Sequence, residues 1–367
     1  MINKKYIRQY LLLPLLACLM AGAAGCSSDA SEGEVQSSSD GNTYITFTTR
    51  GIVTENPVEN DGAIADYDAF DSYIQSLRII GFCNGEVKYN QLFKATESED
   101  AKAWTLVNDG NEIDITGILS SPVNGVYTFY FIANEEGHTV AGSTDNLADK
   151  LKPSNLKLTP SVLDGMGINF TVGEITGGTP LVMTQKQSFL IRLGQKNSIT
   201  NVELVRALAK AQLEIRKEEA NTNDYENVSA SITQTEQGKI HSSYALMAES
   251  TYSGSEPLEN ITTDIFIGEN VNLPAENGYI YFYESNPIYL PEKNLEEAAN
   301  AINITTSITN GSSTPYDFPI GDPNKNFSIE RNTEYTTTVT FLTLYDFTFK
   351  CMTISWGEKT MEVPPFE

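Results

Sequence analysis

Histidine and cysteine are scarce in this chain, and the scarcity removes whole classes of chemistry. The two histidines, His138 and His241, stand in polar, loop-like context, where a surface role is the ordinary reading. Of four cysteines, Cys18 lies in an apolar leader and Cys26 directly follows it. Cys83 and Cys351 sit far apart in strand-like runs, RIIGFC and FTFKCMTISW. No CxxC pair occurs, so zinc-ribbon and dithiol redox readings have no support. One disulfide between Cys83 and Cys351 is possible, but two buried free thiols are the better expectation if they belong to different domains. A metal hydrolase has nothing to rest on. The chain also lacks GxSxG, GxGxxG and a phosphate-cradling loop. The paired acids Glu135–Glu136 and Glu218–Glu219 read as solvated faces, and Glu296–Glu297 as part of a short exposed helix. Two carboxylates distant in sequence leave no local signature, so acid-pair glycosidase chemistry stays open. The reading is a protein without catalytic residues, cofactor or metal.

Positive charge is the next shortage. The 367 residues hold 24 Lys and Arg against 48 Asp and Glu. Residues 1–50 contain four of each sign, so the rest of the chain keeps the whole net charge of −24. Without a basic patch to displace counterions from phosphates, nucleic acid is excluded as a partner. High negative charge instead favours solubility and long exposure to water.

Long hydrophobic runs are missing too, with one exception. Residues 11 to 26, LLLPLLACLMAGAAGC, follow Lys4, Lys5 and Arg8 and end in small residues before Cys26. A cationic start, an apolar middle and a small-residue end make a secretory signal peptide. The run is interrupted by Pro14 and falls short of the roughly 20 apolar residues that span a bilayer. Its Ala-Ala-Gly-Cys ending resembles a bacterial lipobox, in which the cysteine thiol is acylated, by palmitate for example, and the chain is cut just before it. Plain secretion, with Cys26 incidental, is the alternative. Residues 27 to 42, SSDASEGEVQSSSDGN, are polar and acidic and read as an unstructured tether.

The remainder reads as short β segments divided by Gly, Asn, Asp and Pro. Tyr44–Thr49 is the first, with Ile45 and Phe47 on one face, and it stops at Arg50-Gly51. SLRIIGFC and EVKYNQLF form a hairpin around Asn84-Gly85. AWTLV, IDITGIL and VYTFYFIAN follow, the last apolar enough to be buried on both faces. A modest helix is expected over Thr144 to Lys150. NVELVRALAKAQLEIRK is ambiguous: its alanines favour helix, while QLEIRK alternates like a strand. YIYFYESNP, a polar stretch over 303 to 314, and EYTTTVTFLTLYDFTFKCMTISW complete the chain. Many short strands indicate an all-β protein of two sandwiches.

In order along the chain, these segments resemble the fimbrillins of Bacteroidetes, pilus subunits of the FimA and Mfa type. The likeness rests on the lipobox, TYITFTTRG, SLRIIGF, VYTFYFIAN, TPLVMTQ, NVELVRALAKAQLEI, YIYFYESNP and IERNTEYTTTVTF. TPLVMTQ departs from the family's Pro-Met turn. The resemblance implies two transthyretin-like Greek-key β-sandwich domains in tandem and makes NVELVRALAKAQLEI a strand. It divides the chain into a signal peptide (1–25), a lipidated propeptide with the first strand (26–50), an N-terminal domain (51–190) and a C-terminal domain with a donor tail (191–367).

It also implies a mechanism. A lipid on Cys26 would carry the precursor to the outer membrane. An Arg-specific protease would cut between Arg50 and Gly51. The strand carrying Ile45 and Phe47 would leave its groove, and a strand from a neighbouring subunit would fill it, head to tail, building a fimbrium that supports cell adhesion. The C-terminus supplies a candidate donor: Met352, Ile354 and Trp356 alternate on one face, and Met361, Val363 and Phe366 follow after Gly357. Each such side chain contributes about 1.5–3 kcal/mol when fully buried. A tip or anchor subunit is the neighbouring reading. A surface glycan-binding lipoprotein is the reading from another class, with Tyr279, Tyr281 and Tyr283 as its aromatic platform.

Overall fold

The computed structural model describes residues 35–38, 40–50, 55–107, 112–120, 122–155, 157–171, 175, 177–222, 227–233, 239–252, 265–269, 278–297, 301–309, 313–343 and 346–356. Twelve strands build the first half: β1 (Val35–Ser37), β2 (Tyr44–Arg50), β3 (Ser76–Cys83), β4 (Glu86–Lys94), β5 (Ala101–Ala103), β6 (Thr105–Val107), β7 (Glu112–Ile118), β8 (Gly125–Ala133), β9 (Gly167–Asn169), β10 (Met183–Ile191), β11 (Gln195–Val202) and β12 (Val205–Arg206). One sheet runs β1-β11-β2-β7-β6 and faces another that runs β12-β10-β8-β3-β4-β5. Ile45, Phe47, Ile113, Ile115 and Ile199 of the first sheet meet Leu77, Ile79, Phe129, Phe131 and Phe189 of the second in one apolar cluster.

The hairpin around Asn84-Gly85 forms as the sequence implies. Cys83 pairs with Glu86, leaving a two-residue loop whose residues both take positive φ, 53° and 79°. That geometry matches the strands' twist and is suited to Asn-Gly. The AWTLV segment crosses between the sheets at Trp104, with β5 pairing β4 and β6 pairing β7. Residues 35–37, expected to be part of a structureless tether, pair with β11 instead.

β3 and β8 are buried on both faces, so their sequences read as nearly continuous apolar runs. Their second face carries Ile80, Phe82, Tyr130 and Ile132. Short helices cover it: α1 (Tyr67–Asp71), α2 (Leu147–Leu151) and α3 (Pro160–Asp164). Helix α2 is the one expected over Thr144 to Lys150, displaced by a few residues; Leu147 and Leu151 are both buried.

The second half contains β13 (Ala209–Glu218), β14 (Asn227–Thr233), β15 (Ser243–Ala245), β16 (Ile265–Glu269), β17 (Tyr279–Glu284), β18 (Ile288–Leu290), β19 (Ile302–Thr309), β20 (Ser313–Ile320), β21 (Thr333–Phe341) and β22 (Phe347–Ser355). Its sheets run β17-β13-β21-β22, with β18 also on β13, and β16-β14-β19-β20. Leu213, Ile215, Val339 and Phe341 meet Ile302, Phe318 and Ile320 between them. NVELVRALAKAQLEI is not helical: it spans the end of β11, the short β12 and the start of β13, in which Ala209, Ala211, Leu213 and Ile215 face inward. Both β10 and β11 pair within the sheets of the first sandwich.

Three local expectations change. Glu135 is not solvated: it is buried and accepts two hydrogen bonds from Arg78, at 2.6 and 2.7 Å. Residues 296–297 form a bend and not a helix. His138 is buried, its Nε2 2.9 Å from the Pro180 carbonyl oxygen. Cys83 and Cys351 are free thiols in different sandwiches.

Burial holds the pKa of both His138 and His241 below the ordinary value of 6.5, the charge of Lys293 adding to the effect at His241. A histidine kept neutral in the fold takes up its proton on unfolding, so its contribution is present above the unfolded pKa and is lost as pH falls below it. The stability advantage of the parent over His138→Gln should therefore shrink from pH 7.5 to 5.5, by up to about 1.4 kcal/mol per pH unit. Urea denaturation of both proteins across that range checks it; a constant difference would contradict it.

Candidate functional site: a plugged strand groove and a buried junction

Strand β2 is an internal strand. It pairs antiparallel with β7 from Tyr44↔Ile118 to Arg50↔Glu112, and parallel with β11 from Lys196↔Tyr44 to Val202↔Thr49. Alternation sends Ile45, Phe47 and Thr49 into the core, each with no exposed surface. Phe47 meets Phe129 and Phe131 edge-on, with ring centroids 5.2 and 5.1 Å apart. Across the sandwich the Tyr89 hydroxyl sits where a side chain at Gly117 would be, and Gly117 pairs with Ile45. A larger residue at this position on β7 would have to displace the Tyr89 ring. Arg50 is the last residue of β2, Gly51 lies outside the described residues, and Cys26 lies outside them as well.

The C-terminal candidates divide into two groups. Met352 and Ile354 lie in β22, which pairs antiparallel with β21 from Thr333↔Ser355 to Phe341↔Phe347. Phe347, Phe349 and Cys351 turn toward the core of the second sandwich, and Met352 turns outward and is exposed. Trp356 is buried at the contact between the two halves. Met361, Val363 and Phe366 lie outside the described residues.

Trp356 belongs to a cluster centred on Asp71 at the end of α1. The Asp71 carboxylate accepts from Lys210 Nζ at 2.8 Å, Trp356 Nε1 at 3.1 Å and the Tyr289 hydroxyl at 2.6 Å. Both Lys210 and Asp71 are almost fully buried. Arg206 donates to the Asp71 carbonyl oxygen at 2.6 Å and to the Ser72 hydroxyl at 2.9 Å, and its guanidinium lies 4.8 Å from the Trp356 ring centre. Tyr289 stacks on Trp356 with centroids 5.8 Å apart. Asn332, in a left-handed conformation at φ 52°, accepts the Trp356 N–H on its carbonyl and donates its own N–H to Leu208. Asn134, also left-handed at φ 61°, donates to the Tyr73 and Leu181 carbonyls and accepts from the Gln75 N–H, each at 2.8 Å, fixing the chain just after α1.

Sequence reasoning did not find this junction, although part of it stood in view. Arg206 and Lys210 are the charged residues of VRALAK, Asn134 ends YFIAN, and Asn332 stands in IERNTEY. Asp71, their common partner, lies in no distinctive motif.

The tyrosine platform is partly occupied. The Arg216 guanidinium carbon lies 3.9 Å from the ring centre of Tyr279, covering that face; the side chains of Tyr281 and Tyr283 are outside the described residues. Among the described residues no group of three His, Cys, Asp or Glu is placed to hold a metal ion.

No protein-family profile and no curated protein matches the chain. Solved structures do. The tip fimbrial protein Mfa3 of Porphyromonas gingivalis, solved with a C-terminal truncation, superposes with a TM-score of 0.52 at 14% identity, over 86% of this chain and 100% of that one. A candidate cell adhesion protein of Parabacteroides distasonis gives 0.50 at 11% identity, over 86% and 98%. At such identities the likeness defines the fold: this chain has the all-β architecture of fimbrillin-type proteins.

Removing one partner from a buried charge cluster is costly, typically about 3–5 kcal/mol. Asp71→Ala should lose stability on that scale, measured by urea denaturation. The chain has two tryptophans, so in a Trp104→Phe background emission reports Trp356 alone, and Asp71→Ala should shift it to the red. Unchanged emission would mean that the junction does not depend on Asp71.

Proposed function

We propose that this chain is a structural fimbrial subunit, exported as a lipoprotein acylated on Cys26, cut after Arg50 and polymerised by exchange of strands between neighbouring copies. The observation that carries the reading is the place of β2. A strand that ends at Arg50 lies between β7 and β11, filled from within by Ile45 and Phe47. Taking it away leaves two facing rows of unpaired main-chain groups over a floor that includes Phe129 and Phe131, a groove shaped for another strand. The same cut frees β1, so β11 would lose both of its ladder neighbours at once. A strand from another copy restores one of them. Donor and groove are different surfaces, so the contact repeats without closing and produces a fibre.

The donor in this reading is the segment after Trp356. Residues up to Trp356 serve the subunit's own fold, in β22 and the Asp71 junction. The remaining eleven residues, GEKTMEVPPFE, carry Met361, Val363 and Phe366 as anchors. The partners are then neighbouring pilin subunits, an Arg-specific protease, and the outer membrane through the precursor's lipid. A tip subunit is the second reading, favoured by the single observation that the β22 backbone, which carries Met352 and Ile354, and the Trp356 side chain are already engaged within the chain.

Treatment of the precursor with an Arg-specific protease should give a protein beginning at Gly51, and Arg50→Ala should resist. A product that still carries residues before Gly51 would overturn the central step. Truncation after Trp356 should leave a folded subunit, because β22 and the junction are intact, yet abolish fibres seen by electron microscopy. Fibres of normal length from the truncated protein would remove the donor role of the tail.

A further inference from the structure

Three side chains of β2 point into the first sandwich, and they are not equivalent. Ile45 and Phe47 belong to its apolar cluster. Thr49, the third, is equally buried, and its hydroxyl has no hydrogen-bond partner among the described residues. Its ladder neighbours are Ile113 on β7 and Val202 on β11, both fully buried and apolar. A buried hydroxyl without a partner keeps the whole cost of leaving water and recovers none of it. At this level the groove is apolar and its resident side chain is not.

We propose that Thr49 makes β2 the weaker occupant of its own groove, and that the site between Ile113 and Val202 is a pocket selecting an apolar side chain on the incoming strand of a second copy. The inference rests on the strand-exchange reading above and names the position that decides the exchange. Before cleavage the mismatch is tolerated, because β2 is tethered to its own domain and its seven-residue ladder with β7 holds it in register. After cleavage the tether is gone, and strands compete on fit. Met361, Val363 and Pro365 stand at alternate positions of the C-terminal segment, apolar at all three levels. Such a strand can fill the first two pockets and match the third.

The test uses the precursor without its leader, cut with an Arg-specific protease and followed by native mass spectrometry, which separates cutting from departure of the severed segment. Thr49→Val keeps the shape and removes the hydroxyl, so its segment should leave about tenfold more slowly than the parent's, with fibre formation delayed to match. Thr49→Ser keeps the hydroxyl and should leave at least as fast as the parent. As a free peptide of residues 35–50, the Thr49→Val form should inhibit polymerisation at lower concentration than the parent peptide. Departure of the Thr49→Val segment at the parent rate, with both peptides equally inhibitory, would overturn the inference alone. A cut parent segment that never departs would overturn the strand-exchange reading and this inference with it.

Discussion

The buried carboxylate of Asp71 is the constraint on which the arrangement of the two sandwiches depends. A charge withdrawn from water must be met by donors of good geometry, and Asp71 is met by three that come from separate parts of the second half: Lys210 on β13, Tyr289 on β18 and Trp356 after β22. None of these strands is adjacent in sequence to α1. The helix therefore docks only where all three converge, and the docking fixes the sandwiches against each other. Arg206 reinforces the same point from the backbone side, meeting the carbonyl at the helix C-terminus, where cations are favoured. The aromatic rings do the complementary work. Trp356 and Tyr289 stack, and the guanidinium lies over the indole, so the charged groups are enclosed by apolar and polarisable surface.

The apolar packing is continuous with this polar centre. The outer face of β3 and β8, the short helices and the core of the second sandwich form one cluster, from Phe70 and Tyr130 through Leu208 to Phe341. The sheet shared between the first sandwich and this contact is apolar on both sides, an arrangement more usual for parallel sheets than for antiparallel ones. Sharing it lets two small sandwiches bury more surface than each could alone.

This sharing explains what could and could not be read from the residues in advance. The hairpin at Asn84-Gly85 was legible because turn chemistry is local. The burial of VYTFYFIAN was legible because a run apolar on both faces needs no knowledge of its neighbours. VRALAKAQLEI resisted periodicity, because Lys210 breaks the expected contrast: it lies on the outer face of β13, yet α1 of the other half covers it. A buried lysine is intelligible only beside its partner, and that partner is 139 residues away. Glu135 and His138 were misplaced for the same reason, their environments being made by Arg78 and by the Pro180 carbonyl. Met352, Ile354 and Trp356 alternate as one face, but in β22 Phe347, Phe349 and Cys351 take the core side, so Met352 faces outward, while Trp356, just after the strand, enters the junction.

The groove and the junction are joined by the chain itself. Asp71 follows Arg50 by only twenty-one residues, and Trp356 immediately precedes the segment proposed as donor. In a head-to-tail fibre, tension would enter each subunit at the groove between β7 and β11 and leave it after Trp356. A load on the tail falls first on the Trp356 ring, which is hydrogen-bonded to Asp71, stacked on Tyr289 and covered by Arg206. From Asp71 it would pass through α1 into β3, across the connecting residues Tyr73 and Gln75 that the Asn134 side chain holds. β3 belongs to the sheet that floors the groove. In the proposed fibre, the polar junction would lie on a path between the groove and the tail. A cluster of short hydrogen bonds, individually directional and closed to water, resists sliding better than apolar contact alone, which is indifferent to direction. In the proposed fibre, a buried charge here would be better suited than a leucine to holding one orientation under load.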